Sequence, residues 1–256
     1  MKINGNTIVI TGGGSGIGRG LAEAFAERGN EVIVAGRRKG ALEEVARGNK
    51  GIHAVTLDVD DSESIEAFAG RVAAEFPATN VLINNSGIMR MENLAGPRID
   101  AAVSEAVVRT NLLGPIRLTA ALLPVLRRQG ESTVMMVSSG LAFVPMTITP
   151  AYCATKAALH SYTQSLRYQL RGTATEVLEL VPPYVQTELL GARQAKDPNA
   201  MPLAEFVAEV MGILERGAVV DGEILVERVK PLRFAEAGGK YRGVFEGLNR
   251  AVSEGH

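Results

Sequence analysis

The sequence predicts a single α/β domain built on a doubly wound parallel β-sheet flanked by helices on both faces. Three observations carry that expectation. Six short β-branched runs alternate with longer helix-period segments, four or more of the runs are nearly all apolar, and a cluster of glycines follows the first run. Unbroken apolar runs suit parallel strands covered on both faces. The expected strands are Thr7–Thr11 and residues 31–35, 52–57, 81–84, 133–138 and 176–181. Helices are expected over 16–28, 41–47, Ser62–Glu75, 100–129 and 151–170. In the first helix Leu21, Ala22, Phe25 and Ala26 form a stripe at i, i+3 and i+4 spacing that would lie on the sheet. Ahead of Ser62, Asp60 or Asp61 supplies a cap, and Glu63 suits the positive end of the helix dipole. Residues 222–229 read as a further strand and 241–252 as a terminal helix. Segment 191–202 (GARQAKDPNAMP) is the most loop-like stretch. No linker, repeat or low-complexity tract divides the chain, so residues 1–256 are read as one domain.

The chain has 256 residues, 46% of them hydrophobic and 21% charged, which supplies a sizeable core and excludes wholesale disorder. Lys and Arg number 27 against 28 Asp and Glu, a net charge of −1. That balance speaks against nucleic acid as a partner. A lone cysteine, Cys153, excludes an internal disulfide and a cysteine zinc site, and His53, His160 and His256 show no ligand spacing, so no metal is expected. Cys153 reads as a small packing residue and His160 as a helix-packing or subunit-contact residue. The N-terminus does not read as a signal peptide and no apolar run reaches membrane-spanning length. A cytoplasmic protein without membrane contact is the expectation.

Thr11-Gly12-Gly13-Gly14-Ser15-Gly16-Ile17-Gly18 links the first strand to the first helix. Glycines at such a turn let the backbone approach a pyrophosphate, and the helix N-terminus offers unpaired N–H groups and positive dipole. A glycine-rich turn is weak in isolation, but its placement here predicts a Rossmann-type dinucleotide site. No Gly-Lys-Ser/Thr follows, so a phosphotransferase loop is unsupported.

The ordered set of Thr11-Gly12, Gly16-Ile17-Gly18, Asn84-Asn85-Ser86-Gly87, Ser139 and Tyr152-x-x-x-Lys156 resembles the short-chain dehydrogenase/reductase family. The motifs run from Thr7 to Thr187, and Ser139 and Tyr152 keep the family's separation. The resemblance implies that Gly12, Gly14, Ser15, Gly16, Ile17 and Gly18 cradle the pyrophosphate. It further implies that Asp58 and Val59 flank the adenine, and that Asn85 and Gly87 shape the adenosine pocket wall. Pro182, Val185 and Thr187 would hold the nicotinamide end, where this chain carries Pro183 in place of the family's usual glycine. Ser86 replaces the usual alanine, and the C-terminal strand departs from the family pattern.

Tyr152 and Lys156 stand four apart on one helix face. A nearby ammonium favours phenolate, so Lys156 is expected to lower the Tyr152 pKa by roughly 2–3 units. Ser139 would bond the substrate carbonyl and steady developing alkoxide charge. The resemblance gives Asn111 the task of holding a water in the proton relay, and gives Lys156 and Tyr152 cofactor contacts as well. Tyr-x-x-x-Lys occurs by chance on many helices; the ordered set gives it catalytic meaning. About 20 residues beyond the glycine loop, where an acid would meet a ribose 2′-hydroxyl, stand Gly36, Arg37, Arg38 and Lys39. Cations are the wrong sign for a helix N-terminus, and Arg presents bidentate donors to a 2′-phosphate. NADP is therefore the expected cofactor, with Arg37 the leading contact and Arg38 second.

The resulting expectation is an NADP(H)-dependent oxidoreductase of the carbonyl reductase type, acting on a small-molecule ketone, aldehyde or alcohol as a homodimer or homotetramer. Leu141, Phe143, Tyr184 and Leu189 are the expected substrate wall, with residues 189–206 a mobile lid. The competing reading is a non-catalytic dinucleotide sensor or interaction protein on the same fold. Intact Ser139, Tyr152, Lys156 and Asn111 weigh against it.

Overall fold

A computed structural model describes residues 1–97 and 99–254; His256 lies outside the described residues. Strand β1 (Thr7–Thr11) is buried at every position because strands flank it on both edges and helices cover both its faces. Its neighbours are β2 (Glu31–Gly36) and β4 (Thr79–Asn84), with β3 (Ile52–Thr56) beyond β2. On the other side follow β5 (Ser132–Val137), β6 (Thr175–Val181) and β7 (Glu223–Leu225). The sheet order is β3-β2-β1-β4-β5-β6-β7, and every pairing is parallel.

Side-chain alternation along the strands divides the core in two. Ile8, Ile10, Val32 and Val34 face α1 (Gly16–Glu27) and α2 (Lys39–Gly48). Val9, Ile33 and Leu82 face α3 (Ser62–Glu75) and the helices that follow β4 and β5. Asp61 caps α3 as the composition implied, its carboxylate accepting from the N–H groups of Glu63 at 3.1 Å and Ser64 at 3.3 Å.

Three elements differ from the sequence expectation. The long helix over 100–129 is divided into α4 (Ala101–Val108), a π turn (Arg109–Leu113) and α5 (Gly114–Leu126). Pro115 has no N–H to return to the Asn111 carbonyl, so regular α geometry fails there. After β5 come α6 (Pro150–Leu170) and, unforeseen, α7 (Leu203–Glu215), whose Phe206, Val210 and Met211 are buried against the α1 side of the sheet. The last strand is only three residues long. The Glu209 carboxylate accepts the Glu227 N–H at 2.6 Å, and the chain turns into a 3-10 turn (Glu227–Val229) and α8 (Lys230–Arg233). Helix α9 (Tyr241–Glu254) ends the described chain.

Candidate active site

Strand order reverses between β1 and β4, the place where an open parallel sheet forms a crevice beyond its carboxyl ends. A cleft of about 680 Å³ opens there. Its floor is the glycine turn between β1 and α1. Gly12 and Gly16 adopt φ of +68° and +52°, left-handed values that glycine alone takes without strain. Gly12, Gly14, Ser15, Gly16 and Ile17 line the cleft. Gly18 does not; a Cβ there would stand 2.4 Å from the Gly12 carbonyl oxygen, so its role is close packing of the turn on its own helix.

The turn is tied to the end of β4. The Thr11 hydroxyl oxygen accepts from the N–H groups of Asn85 and Ser86, both at 2.9 Å, and the Asn85 amide donates to the Thr11 carbonyl at 2.9 Å. Asn85, Ser86 and Gly87 all face the cleft. Val59 lines it too, whereas Asp58 turns its carboxylate back to the Asp60 N–H at 3.0 Å and shapes the loop without reaching the cleft. Thr11 was legible as a motif residue, but its bridging of β1 to β4 needed the sheet pairing.

At the far end of β2, Arg37 and Arg38 line the cleft. Arg38 donates to the Ser15 hydroxyl at 2.6 Å, and Arg37 stands 3.6 Å from the Asp60 carboxylate. Sequence distance concealed that carboxylate, which arrives from the loop after β3.

Ser139, Tyr152 and Lys156 converge on the cleft from the end of β5 and the first turns of α6. The Ser139 hydroxyl caps a 3-10 turn by accepting from the Leu141 N–H at 3.1 Å, and it bonds the Tyr152 hydroxyl. Lys156 donates to the Val137 carbonyl at 2.7 Å, with its Nζ 5.6 Å from the Tyr152 ring centre. Burial pushes the Tyr152 phenol up to about 12, against the Ser139 hydrogen bond that works to lower it. The expected depression by Lys156 is thus overturned: desolvation dominates and the ammonium is committed to a carbonyl. Burial draws Lys156 itself down to about 8, while the Glu179 carboxylate acts to raise it. A neutral phenol beside a serine hydroxyl is equipped to donate protons to an oxygen between them.

Asn111 sits in the π turn behind Gly87, fully buried and off the cleft wall. Its amide oxygen accepts from the Ile88 N–H and its amide nitrogen donates to the Ile88 carbonyl, both at 2.8 Å. Gly87 lies between the two: a Cβ there would stand 3.4 Å from the Asn111 oxygen and 3.9 Å from Lys156 Nζ, ordinary contact distances.

Pro182, Val185, Thr187 and Leu189 line the mouth of the cleft beyond the end of β6. The other residues expected for the substrate wall do not line this cleft. Phe143 packs edge-on against His160, with ring centres 4.8 Å apart, and beneath the Arg233 guanidinium. Tyr184 points outward and donates to the Asp197 carboxylate at 3.1 Å. Leu141 joins the small apolar cluster around Tyr152, Met89 and Leu189 and does not reach the cleft surface. Within 189–206, Met201 and Phe206 belong to the core. Met201 exchanges backbone hydrogen bonds with Tyr184 and Gln186, because α7 anchors that end. Gln194, buried, donates to the Val185 carbonyl at 2.8 Å and the Thr187 hydroxyl at 3.1 Å.

Among the described residues no helix is long and apolar enough to cross a membrane.

The family profile described as short chain dehydrogenase matches residues 6–198. The uncharacterized oxidoreductase DltE of Bacillus subtilis is 38% identical over 254 residues, which are 97% of this chain and 98% of that protein. An NADP-dependent 3-hydroxy acid dehydrogenase of Schizosaccharomyces pombe is 32% identical, over 88% of this chain and 93% of its own. Among solved structures, a short chain dehydrogenase from Burkholderia cenocepacia in complex with NADP superposes with a TM-score of 0.82 at 25% identity, covering 97% of this chain and 99% of that one. A 3-ketoacyl-(acyl-carrier-protein) reductase from Brucella melitensis complexed with NADH gives 0.77 at 25% identity, over 87% and 96%. With a glycine turn at the strand-order reversal and a serine, tyrosine and lysine facing it, the chain belongs to the short-chain dehydrogenase family of oxidoreductases, whose relatives bind nicotinamide dinucleotides.

Proposed function

We propose that the protein is an NADP(H)-dependent reductase that interconverts a ketone or aldehyde with the corresponding alcohol. The observation that carries this reading is the convergence of Ser139, Tyr152 and Lys156 on the cleft floored by the glycine turn. The residues present fit a dinucleotide: a Cβ at Gly12 would crowd the Asn85 amide at 2.9 Å and one at Gly13 would strike Val34 at 2.7 Å, so glycines let the turn pack tightly on the sheet, while Gly12, Gly14 and Gly16 offer the cleft a surface without side chains. Gly12, Gly14, Ser15, Gly16 and Ile17 would hold the pyrophosphate, Val59, Asn85 and Gly87 the adenosine, and Pro182, Val185 and Thr187 the carboxamide.

When bound, the nicotinamide supplies or accepts the hydride. Ser139 holds the substrate oxygen and the Tyr152 phenol, neutral at physiological pH, donates the proton that oxygen needs. Lys156 positions the cofactor ribose and keeps positive charge near the phenol. Asn111 fixes the backbone at Ile88, beside both. Selection of NADP is assigned to Arg37 and Arg38, because two guanidinium groups stand at the end of β2 where a 2′-phosphate would lie. Asp60 restrains Arg37 at a distance of 3.6 Å, loose enough for the phosphate to displace it.

The substrate is read as a small carbonyl compound, the protein as a cytoplasmic homodimer or homotetramer, and residues 189–206 as a segment that closes over the bound pair. The test is absorbance of the reduced nicotinamide with NADPH and NADH over a panel of ketones and aldehydes, beside calorimetric titration of both cofactors. Turnover with NADPH and weaker binding of NADH are expected. Binding without turnover on any carbonyl or alcohol would make the protein a sensor, and equal affinity for both cofactors would remove the assignment to Arg37 and Arg38.

A further inference from the structure

A second group of titratable side chains lies one helical turn beyond Lys156 and takes no part in the chemistry above. Glu179, on β6, is fully buried. One of its oxygens accepts from His160 Nδ1 at 2.7 Å, and the other has no hydrogen-bond partner among the described residues. Glu223 stands beside it in register on β7. Atoms of His160, Glu179 and Glu223 lie within 4.8 Å of one another. The Arg233 guanidinium of α8 takes both Glu223 oxygens, at 2.7 and 2.9 Å. Two buried carboxylates thus have one permanent cation between them, and a further cation close by would stabilise them.

That cation is at hand. Lys156 and His160 are four residues apart on α6, on the same face. Lys156 donates to the carbonyl of Val137, which pairs with Leu180, the residue next to Glu179. Charged and titratable groups near the pair come from every element around it: Tyr152, His160 and Arg167 on α6, Glu179 on β6, Glu223 on β7 and Arg233 on α8. From the π turn, the neutral Asn111 reaches α6 through Thr155 at 3.4 Å, while Arg109 is exposed.

We propose that Glu179, oriented by His160, is a positioning residue for the reaction: a buried counter-charge that keeps Lys156 protonated at the pH where the reductase works. The inference rests on the proposed function for its consequence, though not for its measurement. A buried lysine loses charge by desolvation; Glu179 opposes that loss, and it is the charge acting to raise Lys156. The hydrogen bond to His160 aims the carboxylate and leaves its other oxygen unshared among the described residues.

The decisive variant is Glu179→Gln, which keeps size and the ability to accept from His160 while removing the charge. The first readout needs no substrate: NMR titration of the Lys156 side-chain nitrogen in the unliganded protein. Its midpoint is expected to fall by about one pH unit or more, the effect of losing a nearby opposite charge. The second readout is the pH profile of turnover, whose basic limb should move down by the same amount while KM at low pH stays within about twofold. If Glu179→Gln does not fold, the double variant H160L/E179L keeps the test, since apolar side chains of similar volume commonly replace a buried polar pair without loss of stability. An unchanged Lys156 midpoint in a folded variant overturns the proposal. A lowered midpoint in a protein that turns over no carbonyl compound sustains it and overturns the proposed function instead.

Discussion

A tyrosine phenol is neutral across the physiological range, and burial, which pushes Tyr152 up to about 12, keeps it so, as the proposed role of proton donor requires. Replacing it by phenylalanine keeps the ring and removes the proton. Tyr152→Phe should therefore cut carbonyl reduction by roughly 10²–10⁴, the contribution of a positioned general acid, while calorimetry finds NADPH affinity nearly unchanged. Turnover close to wild type on any good substrate would show that another group donates. Arg37→Ala should weaken NADPH binding by about 1.5–3 kcal/mol, the value of a hydrogen bond to a charged group, and leave NADH binding as it was. Equal losses with both cofactors would mean that Arg37 works through its contact with Asp60 and the loop after β3. Tyr152, Lys156 and Ser139 were legible in the chain because a helix turn and a strand end are local geometries. Phe143 and Tyr184 were not, because their destinations are set by partners remote in sequence or turned to solvent, His160 and Arg233 for one and Asp197 for the other.

The glycine turn, the π turn and segment 189–206 each depend on a few tight fits. Gly18→Ala sets two effects against one another. Alanine favours the helix by about 1 kcal/mol over glycine. Against that, its Cβ would fall 2.4 Å from the backbone oxygen of Gly12, an atom that cannot swing aside. The clash should win, and urea denaturation should show a net loss of roughly 1–3 kcal/mol, as for an overpacked core. A gain in stability would mean that the turn yields freely. The π turn was read as continuous helix, since periodicity alone does not register one extra residue per turn; Pro115 and the two hydrogen bonds between the Asn111 amide and the Ile88 backbone make it. For 189–206 the anchors divide the expectation. Met201 and Phe206 are core residues and should resist hydrogen exchange in every state. Residues 189–199, held chiefly by Gln194, should exchange fast in the free protein and slow when NADPH and product are bound. Equally fast exchange in both states would exclude closure.

Lys156 also leaves a signature on the whole molecule. Its folded pKa of about 8 lies below the ordinary 10.5, so between those values the unfolded chain binds the extra proton. Stability must then rise with pH across that window, and the penalty is fully present below it. Urea unfolding of the wild type from about pH 7 to about pH 9.5 should show that rise, on the order of a few kcal/mol at most, whereas Lys156→Met should lack it. Parallel curves for the two proteins would mean that the folded lysine holds its proton as well as the unfolded one. The sequence by itself determined the α/β order, the strands β1 to β6, the glycine turn and the serine, tyrosine and lysine set. Each is encoded locally, in periods of two or of 3.6 residues and in turn chemistry. Only the tertiary structure decided that α7 exists to cover the sheet, that β7 stops after Leu225, and that Asp60 meets Arg37. It also decided that Glu179 lies buried under α6, with one oxygen on His160 and the other unshared among the described residues. Those outcomes depend on pairs of groups far apart along the chain, whose meeting costs nothing extra once the sheet has closed the loops between them.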